Sequence, residues 1–160
     1  MVGMSPAGLK DRLQSDLTQA IRTRDEVRSA TIRMVLTAVK SEEVAGTTAR
    51  ELSDAEVITV LGREAKKRRE AATAFGDAGR VEMAAREVAE LAVLEEYLPK
   101  QLTEAEIVAI VTAAVAGVQA SGGPTGMAAM GPVMKVVQPQ VQGLADGGKV
   151  AALVRAALTA

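Results

Sequence analysis

The chain has 160 residues and a formal charge of −1; 48% of it is hydrophobic but only 1% aromatic, and it contains no cysteine and no histidine. Disulfide stapling, Cys/His zinc sites and every triad or dyad needing a thiolate or an imidazole are therefore excluded, and no global basic field attracts nucleic acid. The core must come from Ala, Val, Leu, Ile and Met, a palette suited to close-packed helices.

The opening "MVGMSPAGLKDRLQ" lacks a basic region leading into an apolar run, so no signal peptide is expected. No stretch of 18 apolar residues occurs, which argues against a membrane span. A cytoplasmic protein is the expectation. Charge is unevenly spread: residues 1–100 carry 16 Lys/Arg and 17 Asp/Glu, residues 101–160 only three of each, and eight of the 14 glycines lie after residue 116. The break falls at "YLPKQL", where Pro99 should end a helix. Two domains are expected, 1–99 and 100–160.

In chain order, Ser5-Pro6 signals a first helix over 6–22, with Leu9, Leu13, Leu17, Ala20 and Ile21 as its apolar stripe. "TRDE" (23–26), "SDAE" (53–56) and "TEAE" (103–106) each match the capping box. The near-identity of "LSDAEV" and "LTEAEI" reflects that shared capping chemistry; the segments after them differ, so no repeat is inferred. A second helix over 24–45 is apolar round most of its circumference, with Glu26, Arg33, Thr37 and Lys40 as a narrow polar strip, and should lie in the middle of its bundle. A long third helix over 54–77 closes at "GDAGR", and a fourth runs through "VEMAAREVAELAVLEEYL". Beyond the break come helices over 104–119, over 126–141 after the breaker "SGGPTG", and over 147–158. The expected architecture is all-α, an N-terminal four-helix bundle followed by a small three-helix domain.

"GLADGGKV" (143–150) has the glycine and lysine spacing of a phosphate-binding loop, but Val150 replaces the hydroxyl residue. No strand precedes it, and Asp146 puts a carboxylate where an anion would sit. It is expected to be a helix cap, with Asp146 as N-cap. No cofactor or metal is expected.

The run "REAKKRRE" (63–70) is the most unusual segment. At about 100° per residue, Glu64 and Arg68 fall on the apolar stripe of Val57, Val60, Leu61, Ala65, Ala71, Ala72 and Phe75. The expectation is an ion pair at the rim, the Arg68 stem packed and its head in water; the alternative is a polar groove used by a ligand or partner. Arg63, Lys66, Lys67 and Arg69 point outward or flank the stripe and are candidates to meet phosphates; the alternative is a solvated face balanced by Glu64 and Glu70. The adjacent acids Glu42/Glu43, Glu95/Glu96 and Glu104/Glu106 are read as surface and capping residues, no pair being placed to share a cavity as a general acid pair must. Met127, Met130 and Met134, at i, i+3 and i+7, are read first as core and second as an adaptable contact face.

"LKDRLQSDLTQAIRTRDEVRSATIRMVLTAVKSEEV", "REAKKRREAATAFGDAGR", "LEEYLPKQLTEAEI" and "MGPVMKVVQPQVQGLADGGKVAALVRAAL", in this order, resemble the GatB/YqeY-like family across essentially the whole chain. The resemblance implies the same two-part helical architecture. It also implies kinship with the C-terminal helical tail of the GatB component of the glutamine-dependent aspartyl/glutamyl-tRNA amidotransferase, a tail that contacts tRNA while ATP and ammonia chemistry occur in other domains. The family label is carbon–nitrogen ligase activity with glutamine as amido-N-donor. This chain has no cysteine nucleophile, nucleotide loop or amidase-like Ser-rich segment, so its own role is expected to be non-catalytic: contact with tRNA or with a tRNA-dependent amidotransferase or synthetase. Its last block departs from the family's more basic pattern, carrying Pro132, Gln140, Gln142 and Leu144, which leaves Lys135, Lys149 and Arg155 as the small-domain candidates for RNA contact. The other expectation is an adaptor that binds a protein helix through the Met and Val face of the small domain.

Overall fold

A computed structural model describes residues 8–160. Among them every regular element is helical: α1 (Leu9–Arg22), α2 (Glu26–Glu43), α3 (Asp54–Asp77), α4 (Val81–Glu95), α5 (Glu104–Ala120), a short 3-10 turn (Gly126–Ala129), α6 (Met130–Val141) and α7 (Gly147–Thr159). The chain forms two compact units, Met1–Leu98 and Pro99–Ala160. The first holds α1 to α4 and the second the remaining helices.

Two of the three capping boxes form. Ser53 accepts from the Glu56 amide at the start of α3, and Glu56 accepts from the Ser53 amide. Thr103 and Glu106 do the same for α5. The third, expected at Thr23, does not. Thr23 ends α1, its hydroxyl donating to the Gln19 carbonyl at 3.1 Å, and Asp25 caps α2 by accepting from the Arg28 amide. Between them Arg24 takes a left-handed conformation (φ 58°), and the Asp25 amide returns to the Ala20 carbonyl at 2.9 Å. The Thr23 hydroxyl is thus spent on the preceding helix, and a one-residue reversal leaves Asp25 to open the next. The Ser5-Pro6 start signal lies outside the described residues; α1 begins after Gly8.

In the first unit α2 packs against α1, α3 and α4, as its broad apolar surface requires. The core joins Leu13, Ile32, Val35, Val39, Val57, Leu61, Ala65, Leu94 and Tyr97, among others. Glu43, expected on the surface, is buried at the end of α2. Both its oxygens accept from Lys10 of α1 at 2.9 Å, and one also accepts from the Leu52 amide at 3.1 Å. Lys10 and then the Leu52 amide hold this carboxyl below its ordinary value. One side chain therefore fastens α1 and the lead-in to α3 onto α2.

In the second unit α5, α6 and α7 enclose a wholly aliphatic core that includes Ile107, Val111, Val133, Val137, Val150 and Val154. Met130 and Met134 pack against it, whereas Met127 is exposed. After α5 the chain turns at Gly122 (φ 79°) and presses Gly123 onto Val118, where any Cβ would lie 2.7 Å from Val118 Cγ1. Asp146 caps α7 by accepting from the Lys149 amide at 3.1 Å, so "GLADGGKV" is a cap and turn, with Gly143 at φ 77°.

Candidate nucleic-acid interface

The cationic run lies in the middle of α3. Its capping box sets the helix register, and the register alternates cations outward with Glu64 and Arg68 inward. Arg63, Lys66 and Lys67 are exposed and Arg69 is half-buried. Arg63 Nη1 donates to Glu42 Oε1 of α2 at 2.9 Å, and Lys67 Nζ donates to Glu64 Oε1 at 3.4 Å. Both side chains stay more than half exposed, so these are weak surface pairs that a phosphate can displace.

Arg68 departs from the expectation that its head reaches water. It is 6% exposed. Its Nη1 donates to Glu64 Oε2 at 2.6 Å and to the Glu64 carbonyl at 3.2 Å, and its Nη2 approaches Met34 Sδ of α2. Its Nε lies 3.5 Å from Glu90 Oε2 of α4, within ion-pair reach but without a hydrogen bond. Arg86 closes the far side, donating from Nε to Glu90 Oε1 at 3.1 Å. The groove is filled from inside by three helices' own side chains. Glu90 was missed from sequence, yet Glu90, Val93, Leu94 and Tyr97 stand at i, i+3, i+4 and i+7, the spacing of one inward face.

The small-domain cations are spread out. Lys135 is exposed on α6, and Lys149 and Arg155 are exposed on α7. Six residues separate the latter two, about 240° around the axis, so they do not share a face. Lys149 Nζ lies 3.5 Å from Glu104 Oε2 of α5.

A second polar site carries no cationic run and went unread. Tyr97, 6% exposed, donates its hydroxyl to Asp16 Oδ2 at 2.5 Å, and the Arg12 guanidinium lies 4.8 Å from the ring centroid. Arg28 Nη1 donates to Glu96 Oε2 at 2.6 Å. These groups line a cavity of ≈ 320 Å³. Burial, then the Asp16 hydrogen bond, push the Tyr97 hydroxyl up, so it remains a donor at neutral pH.

Among the described residues no group of acids is arranged to hold a metal ion, and no helix is long and apolar enough to cross a membrane. No curated protein matches the chain. The sequence profile described as "Yqey-like protein" matches residues 10–158, taking in both cores and every cation discussed above, and on that match the chain belongs to the YqeY-like family.

Proposed function

We propose that the protein is a cytoplasmic, non-catalytic docking module that contacts tRNA or a tRNA-dependent amidotransferase or synthetase. We take residues 1–99 as a four-helix bundle that presents the long helix, and residues 100–160 as a three-helix domain that adds a second contact. The observation that carries the proposal is the exposed set Arg63, Lys66 and Lys67 on a helix whose inward face is locked by Arg68. A rigid rod that holds several cations at fixed spacing suits phosphate contact without base readout. Arg69, Lys135, Lys149 and Arg155 are the further candidate contacts. The amidotransferase kinship of the family supports tRNA over other polyanions, and a chain without cysteine or histidine suits docking better than glutamine hydrolysis.

The test is direct binding of bulk tRNA at low and moderate salt. With three or four phosphates neutralised, log K should fall against log salt with a slope of about −3. Affinity no greater than that of a net-neutral helical control removes the RNA reading.

A protein-interaction adaptor is the second reading, favoured by the exposure of Met127, Val108 and Val136 in the second unit. Nuclease treatment during pull-down separates the two: a partner that survives it is held by protein contacts.

A further inference from the structure

Helix α4 carries apolar residues on two faces, one buried in the core and one exposed. Glu90, Val93 and Leu94 are buried on its inward side, Glu90 meeting both Arg68 and the exposed Arg86, while Val81, Ala85, Val88 and Ala92 are exposed on the other. Val81 is 73% exposed and Val88 55%. The four outward residues are spaced 4, 3 and 4 apart, the heptad spacing of a helix–helix seam.

The order of sizes identifies the occupant. Read forwards the stripe is Val, Ala, Val, Ala; read backwards it is Ala, Val, Ala, Val, again with spacings 4, 3 and 4. An antiparallel copy of the same helix therefore sets Val81 over Ala92 and Val88 over Ala85, twice each by symmetry. Large meets small at every level, the arrangement that fills a helix seam without voids. Charge agrees with size. Arg80 immediately precedes the stripe and Glu95 follows it by one turn, and neither side chain makes an ion pair among the described residues. In the antiparallel pairing each Arg80 comes to the Glu95 of the other copy.

We infer that the outward face of α4 is a self-association surface, occupied by α4 of a second copy of this chain in antiparallel twofold pairing. The contact is isologous, so it closes at two copies. One pair of four-turn helices lies below about 1,200 Å², the small end of specific interfaces, so the association is weak and concentration-dependent.

Sedimentation equilibrium of the full chain from about 10 μM to about 1 mM tests this, with a monomer–dimer midpoint expected near about 0.1 mM. Val88→Glu should leave a monomer throughout, with unchanged helicity because the site lies outside the core. Arg80→Glu should weaken pairing by about tenfold, and Arg80→Glu with Glu95→Arg should restore it to within about threefold. Wild-type monomer at every concentration overturns the proposal and gives the face to a different protein. A dimer that survives Val88→Glu also overturns it, and pairing that the double swap does not restore overturns the antiparallel register.

Discussion

The two units solve the same packing problem with different chemistry. The second buries only aliphatic side chains: its fully enclosed residues are Val, Ile and Ala, and among the described residues no buried polar group belongs to it. The first, with similar helices, buries Thr31, Glu43, Glu64, Arg68 and Glu90 alongside its apolar core. Glu43 ties three segments together at one end, and Arg68 joins α2, α3 and α4 at the other. Buried ions are costly and seldom add stability over a well-packed apolar core, but they specify which groups must meet. The difference matches the distribution of surface charge. The unit that carries the cationic helix fixes that helix by ionic contacts as well as by packing. The unit with few cations has no such helix to orient.

The sharpest way to break this comparison is to remove one side of the ionic interior. Arg68→Ala leaves Glu64 and Glu90 enclosed without their common cation and should destabilise the first unit by about 3–5 kcal/mol. Urea unfolding followed through Tyr97, the single tyrosine, reports on that unit, while valine methyl signals from the second should not move. Replacing Glu64, Arg68 and Glu90 together with leucine or methionine should cost little or stabilise, which separates orientation from stability. An aliphatic loss in the other unit should be smaller. Val137→Ala, at a fully buried position of α6, should cost about 2 kcal/mol with the tyrosine transition unchanged.

Acid should act unequally on the two. The folded carboxyl of Glu43 is held low by Lys10 and the Leu52 amide, so its contribution is complete above the unfolded carboxylate value of about 4.3 and is lost as pH falls through the lower folded value. Glu56, held low by the Ser53 amide and then by Arg50, adds in the same direction. The tyrosine-reported transition should therefore lose stability as pH falls below this range, and an acid response equal in both units would contradict the difference drawn between their interiors. The smallest effects should be alike. Ser53→Ala and Thr103→Ala remove the same capping box from α3 and α5 and should each cost about 1 kcal/mol by thermal unfolding.

Much of the helical layout was legible because its punctuation is local. α3 was expected over 54–77 and spans Asp54–Asp77, since "SDAE" opens it and "GDAGR" closes it, with Gly79 at φ 75°. Asp146 as the cap of α7 was equally plain. The box at Thr23 failed because the pattern does not record which helix a hydroxyl serves. Glu43 was misread as a surface acid because its partners Lys10 and Leu52 are distant in sequence. The same limit applies to the candidate site. Helical periodicity aimed Arg63 and Lys66 outward and Arg68 inward, but Glu42 beside Arg63, Glu90 beside Arg68 and Asp16 beside Tyr97 are tertiary neighbours that no local spacing reveals.

The central claim is that the cations of α3 form a phosphate-contacting edge on a rigid frame. Its most direct measurement is tRNA affinity of the wild type beside Lys66→Glu/Lys67→Glu, each at two ionic strengths. The account predicts binding that weakens with salt and falls at least about tenfold on charge reversal, with helicity and the tyrosine transition preserved. Equal affinity of the two proteins, or binding indifferent to salt, would contradict it.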